Sequence, residues 1–430
     1  MQTGENLKTI PHKNLWLIGI FLFAFVVRLI FCFQHDPLLA YAGGGDSGFY
    51  LQVGRDLVGG LDYSGIPIPV PPVYLMIVGV PQQFLSPEQS IYFLWIFQSF
   101  LLALSCLFAF HIATQLVQDE RVGLVVAIAL ATSVTMILEA GIIQTEAVYV
   151  AFLLLAMWLY IDGFMNDANS SLRQNLCLYL VGIVLGLAAL TRPVLMLFPI
   201  GIAIHMLLIR RWQQILLFLV AYAFIFFSWT AFTSLYYEWT VIGSNQLLPA
   251  IWRGAVEGDG SPEQNDELLG EQSALEQTGD IISSNPTNFA QRRIAELASA
   301  YLQPHGTLSL GSGSLKTLAL NWIRSGFSGE AFQEMITAKH FFWKLLIYIW
   351  HYIALVAGMI GMWLTRKNWR ISLVLIGYIA YTTLLHLVAL AIPRYIFPTF
   401  PFFWIFAAVT LVYLWDMLRG KTKEAELTRL

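Results

Sequence analysis

Two carboxylates and three arginines stand where an otherwise apolar chain has little use for charge. Asp46 follows Gly43-Gly44-Gly45 and opens a helix-like run, Ser47 to Leu57, that Gly59-Gly60 ends. Glu146 lies in Ile143-Gln144-Thr145-Glu146-Ala147, at the start of an apolar helix, with Glu139 on the same turn. A carboxylate held by permissive glycine backbone can serve as a general base or orient a nucleophile. It can equally cap the free N–H groups of a first helical turn, and both readings of Asp46 stand. Glu146 is favoured at a helix start by the dipole, or marks an ionisable group at a cavity mouth. Arg192 stands in Thr191-Arg192-Pro193, Arg394 in Pro393-Arg394-Tyr395, and Arg28 in the outer third of the first apolar run. One such arginine could snorkel to lipid headgroups. Three at the outer ends of separate helices, beside two carboxylate sites, suit a phosphate clamp, because the guanidinium fork matches phosphate oxygens. Tyr50, one turn on from Asp46, either packs or lines the same pocket.

The elements that carry these residues are membrane helices. The 430 residues are 57% hydrophobic and 12% charged, with a net charge of −3 and a mean hydropathy of +0.65. A soluble domain is about 25% charged, so the chain is expected to be an all-α polytopic membrane protein. No nucleic-acid partner is expected. Cys32, Cys106 and Cys177 fall in apolar stretches and read as small hydrophobes. Ala40-Tyr41-Ala42 resembles a signal-peptidase site, but the apolar run Leu15 to Phe33 is longer than a signal core and reads as a retained anchor. His111, His205, His351 and His386 are scattered singly without metal-ligand spacing. No phosphate loop, dinucleotide glycine pattern or HExxH occurs, so nothing points to a soluble nucleotide on the cytoplasmic side.

A helix crosses the hydrocarbon core in about 20 apolar residues. That measure gives about ten candidates, near 15–35, 90–116, 122–138, 146–163, 176–191, 194–209, 213–236, 341–364, 370–391 and 395–417. The proline-punctuated segment 69–85 reads as a re-entrant or interfacial helix. Lys8, Lys13, Arg121, Arg173, Arg210, Arg211, Arg366, Lys367 and Arg370 cluster in short segments on one side, as do Arg419, Lys421, Lys423 and Arg429. The positive-inside bias then places both termini in the cytoplasm. The expected division is a transmembrane module 1–236 with a first outer loop 36–88, an extracytoplasmic segment 237–340, membrane helices 341–418 and a cytoplasmic tail 419–430. Within 237–340, Asn285-Pro286 announces a helix over 287–301, and Gly306 to Ser314 reads as a glycine/serine loop. This segment is expected to contact the acceptor.

Taken together these residues resemble the GT-C fold glycosyltransferases that use polyprenyl-phosphate sugars, in the protein O-mannosyltransferase-like and lipid A aminoarabinose transferase-like branch. Arg28-Leu29, Gly45-Asp46-Ser47 with Tyr50, Asp62-Tyr63, Pro71-Pro72-Val73-Tyr74 and Thr145-Glu146 carry the likeness. So do Gly186 to Pro193, and Arg394-Tyr395 with Pro398 and Pro401. Where better-known relatives often carry an acidic pair, this chain has Asp46-Ser47. The resemblance implies a GT-C fold with outer juxtamembrane helices in a multi-pass cell-membrane protein whose active site is extracytoplasmic. It implies a polyprenyl-phosphate-linked sugar donor, an acceptor that is a protein, lipid or glycan, and contact with membrane lipid. Asp46 would be the base and Glu146 the second acidic site. Arg192, Arg394 and Arg28 would bind the donor phosphate, with Tyr50, Tyr74 and Tyr395 lining the pocket. No cofactor is implied beyond a possible divalent cation shared by Asp46 and Glu146. Two other classes fit the same charges: a transporter or flippase of a lipid-linked or anionic substrate, and a non-catalytic membrane scaffold.

Overall fold

The computed structural model describes residues 8–42, 45–60, 70–236, 242, 251, 279–280, 282–311 and 314–420. Gly43, Gly44, Asp62, Tyr63 and the acidic stretch 257–276 lie outside the described residues. The described chain is helical, with one isolated bridge between Lys8 and Asp119 and no strand. In order the helices are α1 (Lys13–Cys32), α2 (Pro37–Tyr41), α3 (Gly45–Val58), α4 (Pro72–Gln82), α5 (Pro87–Val117) and α6 (Glu120–Thr132). Next come α7 (Val134–Gly141), α8 (Glu146–Trp158, continued by a π turn Leu159–Phe164), α9 (Ser171–Ala189), α10 (Phe198–Leu208) and α11 (Ile215–Tyr236). The outer segment supplies α12 (Pro286–Leu302), α13 (Leu315–Arg324) and α14 (Gly329–Ile336). The chain closes with α15 (Phe341–Leu364), α16 (Trp369–Val388), α17 (Pro393–Ile396) and α18 (Phe400–Leu418).

Seven of the described helical stretches are long and apolar enough to cross a membrane, or eight if the bent pair α6–α7 counts as one. This is a multi-pass membrane protein, but the expected count of about ten is not reproduced. The expected span 194–209 is the shorter apolar stretch Pro193–Leu208, and the expected span 122–138 breaks into α6 and α7 at an angle of 51°. The region Phe341–Val388 is a single apolar stretch by composition, interrupted by a 3-10 turn at Thr365–Asn368. His351 in its first half bonds the carbonyl of Tyr301, and Thr383 in its second half bonds the Tyr301 hydroxyl. The chain therefore doubles back at the 3-10 turn.

Most other local expectations follow their residues. Segment 69–85 forms the short helix α4, begun by Pro72 at its first turn. The helix expected at 287–301 is α12, capped by the Asn285 side chain, which accepts from the Asn288 N–H. The loop expected from Gly306 to Ser314 instead contains a 3-10 turn at Leu308–Leu310.

Polar contacts mark the two ends of the bundle. At one end Lys13 pairs with Glu120 at 2.7 Å, and Arg121 joins Asp119 and Asp416, each at 2.7 Å. There, too, Asn368 donates to the Leu116 carbonyl and His205 bonds the Arg370 carbonyl. Lys8, Lys13, Arg121, Lys367, Arg370 and the end of α18 thus share one end, as the charge pattern groups them. At the other end Asp46, Glu146, Arg192 and Arg394 meet. The middle of the bundle is α18, where every residue from Phe400 to Thr410 is buried. Its neighbour α15 comes to backbone contact through Gly361, where an added Cβ would stand 1.9 Å from the Phe406 carbonyl oxygen.

Candidate active site

Four side chains drawn from four distant places in the sequence converge at the end of the bundle opposite the basic one. Arg394 donates to Asp46 Oδ2 and to Glu146 Oε1, and reaches Glu146 Oε2 at 3.3 Å. Arg192 donates to Glu146 Oε1 at 2.9 Å. Thr145 Oγ1 bonds Glu146 Oε2 at 3.3 Å, so both oxygens of that carboxylate are engaged. Glu146 is wholly buried, whereas the Asp46 side chain is 56% exposed. One guanidinium therefore bridges a fixed carboxylate and an accessible one.

Local sequence explains the placement. The residue before a proline is driven to extended backbone, and Arg192, before Pro193, has φ −142° and ψ 119°. That turns the chain at the end of α9 and leaves the arginine at the mouth. Pro393 plays the other proline role, occupying the first turn of α17 with Arg394 next to it. Glu146 opens α8, where its charge meets the positive end of the helix dipole. Gly45, at φ +66°, starts α3 and sets Asp46 in its first turn.

Aromatic rings frame the charges. Arg192 lies between Tyr149 and Tyr395, 5.6 and 5.2 Å from the ring centroids. Tyr50 packs edge-on against Tyr74 at 5.1 Å, and Tyr74 donates to Gln98 Oε1 at 2.9 Å. Gln98 in turn donates to the carbonyls of Ala140 and Ile142, just before Glu146. This chain ties the helix of Asp46 to the loop of Glu146. Burial, followed by the Glu146 charge, pushes the Tyr50 phenol up to about 12. It therefore stays protonated at neutral pH and can donate a hydrogen bond.

One expected site residue lies elsewhere. Arg28 is fully buried, and its guanidinium serves the carbonyls of Ala24, Leu130, Ala131 and Met136. Those of Leu130 and Ala131 are released where α6 breaks before α7, and a charged donor satisfies them in an apolar setting. Arg28 closes a broken helix and does not join Arg192 and Arg394. The donor set also does not fit a cation shared by Asp46 and Glu146, since the Arg394 guanidinium stands between the two carboxylates. Among the described residues no group of three or more His, Cys, Asp or Glu side chains could hold a metal ion.

Sequence reasoning missed Gln98 and His305. His305 Nε2 bonds Glu139 Oε1 at 2.7 Å, and the other Glu139 oxygen is buried with no partner among the described residues. The one signal that could have pointed to His305 is its place in Pro304-His305-Gly306, a turn tripeptide after the helix α12.

Comparisons with known proteins bear on the fold. The family model for dolichyl-phosphate-mannose-protein mannosyltransferases matches residues 61–247. Among solved structures, the chain is similar to the oligosaccharyltransferase AglB of Archaeoglobus fulgidus, solved with an inhibitory peptide and a dolichol-phosphate. The TM-score is 0.55 at 12% identity, covering 95% of this chain and 51% of that one. It is also similar to ArnT of Cupriavidus metallidurans bound to undecaprenyl phosphate, with a TM-score of 0.52 at 16% identity, covering 94% and 62%. The chain thus spans about half the length of AglB and less than two thirds of ArnT. No curated protein matches by sequence. The fold is GT-C.

Proposed function

We propose that this protein is a glycosyltransferase that moves a sugar from a polyprenyl-phosphate donor to an acceptor on the extracytoplasmic side of the membrane. The observation that carries the reading is the convergence of Arg192 and Arg394 on Glu146 and Asp46 at the end of a GT-C bundle opposite its basic end. The family model that matches is that of dolichyl-phosphate-mannose-dependent enzymes, and the ArnT relative binds undecaprenyl phosphate. Both support a lipid phosphate as the group the arginines receive.

In this reading the two arginines hold the donor phosphate, and Glu146, fully engaged, keeps them in place. Asp46, exposed at the mouth, takes the proton of the acceptor nucleophile as it attacks the anomeric carbon. The bond from that carbon to the phosphate oxygen breaks, and the electron pair leaves on a phosphate already charged. Stabilising that charge is therefore the main task of the site. The positive-inside bias puts the basic end in the cytoplasm and this mouth outside.

The test is sugar transfer by purified Asp46→Asn with donor binding and thermal stability measured alongside. Asn has the size of Asp and the side chain is 56% exposed in the first turn of α3, so the fold should survive. Loss of the proton acceptor should lower transfer about 10²–10⁴-fold. Full activity in that variant would return Asp46 to a structural role.

A further inference from the structure

The connection that carries Arg394 is extended and partly buried. α16 ends at Val388, and Ala389 to Ile392 lead into α17. Ala389 and Ile392 have ψ of 169° and 156°, and Ala389 and Ala391 are buried. A single extended stretch cannot pair its own backbone groups, so its buried carbonyls need partners from elsewhere. So do the last carbonyls of α16, which have no partner within the helix.

Arg293, from the outer helix α12, supplies several of those partners. Its side chain is only 1% exposed. It donates from Nε to the Leu387 carbonyl at 3.2 Å, and from Nη2 to those of His386, at 3.0 Å, and Ala389. Glu296, one turn on, pairs with its Nη1, so the buried charge is balanced from its own helix. The next carbonyl, that of Leu390, accepts from His386 Nδ1 at 2.9 Å, since a carbonyl has no proton to give. The His386 ring also stacks on Tyr395, the neighbour of Arg394, at 5.5 Å. α12 itself packs against α17. One guanidinium thus fixes the start of the connection whose far end carries Arg394.

We propose that Arg293 is a positioning residue for Arg394, holding the backbone from His386 to Ala389 so that the Arg394 guanidinium faces Asp46 and Glu146. The proposal rests on the glycosyltransferase reading above, in which Arg394 receives the donor phosphate. A guanidinium suits the task because its N–H donors lie in one rigid plane and meet several carbonyls and a carboxylate together. A lysine ammonium, a point charge on a flexible stem, fixes that geometry less well. The outer segment thereby takes part in donor binding by holding one arm of the clamp.

The experiment measures binding of undecaprenyl phosphate to the full-length protein in nanodiscs, with thermal stability alongside. The proteins are the parent, Arg293→Gln, Arg394→Ala and the double variant. Arg293→Gln should weaken binding about tenfold in the parent background and by less than about twofold when Arg394 is already Ala, because residues that act through one another are not additive. A direct pull of the Arg293 charge on the phosphate would persist in both backgrounds. Arg293→Lys keeps the charge and serves in the same cycle if Arg293→Gln misfolds; it should stay weakened about threefold or more. Tyr301→Phe removes a different tie between α12 and α16, the hydroxyl contact with Thr383. It should lower stability yet bind within about twofold of the parent. Equal effects of Arg293→Gln in the two backgrounds, or parent-like binding by Arg293→Lys, overturn the positioning role. So does a loss in Tyr301→Phe as large as that in Arg293→Gln, which would assign the effect to docking of α12 as a whole. Each of these results leaves the glycosyltransferase reading intact. A parent protein that binds no undecaprenyl phosphate overturns that reading, and the positioning role with it.

Discussion

Arg394 is shared between two carboxylates that differ in freedom. Glu146 is buried and held also by Arg192 and Thr145, whereas Asp46 is half exposed at the start of a short helix. In the proposed reaction an incoming donor phosphate would compete for the guanidinium and displace the accessible carboxylate, so donor binding would free Asp46 for the proton-accepting role proposed for it. Asp46→Asn should then bind the donor more tightly, by up to about fivefold, as expected for losing a partly exposed pair of at most about 1 kcal/mol. Weaker donor binding in that variant, measured at low salt, would show that the carboxylate does not compete. Asp46, Glu146, Arg192 and Arg394 were legible in the sequence because charge in an apolar chain is costly and marks a use. Arg28 was misread for the same reason: its partners are backbone carbonyls at a helix break, and side-chain identities do not reveal those. His305 escaped notice because its partner Glu139 is 166 residues away.

Among the helices, the crossing of α3 on α4 decides where Asp46 stands. Gly54 and Gly79 meet there, and a Cβ at Gly79 would lie 2.0 Å from the Gly54 carbonyl oxygen. No rotamer change relieves a clash with backbone, so Gly79→Ala should push the two helices apart. The expected cost is about 1–3 kcal/mol of stability, with a loss of transfer larger than the stability change explains. A thermal shift paired with an activity assay checks this, and wild-type behaviour in both would remove the crossing from the argument. Capping and proline signals made α4 and α12 readable in advance. The break at Ser133 was not readable, since Leu130 to Leu138 is as apolar as an unbroken span. The same holds for the short stretch Pro193–Leu208, where composition gave a span and length did not.

On the scale of the whole molecule, the cluster of basic helix ends and the candidate site lie at opposite ends. In intact cells, cysteines placed at Glu88 and Ser325 should react with an impermeant thiol reagent, and one at Ala168 should not. The native cysteines are buried or half-buried, which keeps the background low. Labelling at Ala168 with none at Glu88 would invert the proposed orientation. The broken helix has a further consequence, for the order in which the protein is made. Arg28 leaves the ribosome 102 residues ahead of Leu130, whose carbonyl it will bond. At about 5–20 residues per second the first helix waits roughly 5–20 s with its guanidinium unmatched. Arg28→Leu should therefore improve insertion of the isolated first helix by about 3 kcal/mol while destabilising the finished bundle, which keeps its unpaired carbonyls. The nascent chain thus carries a provisional anchor that becomes permanent only when its second hairpin arrives.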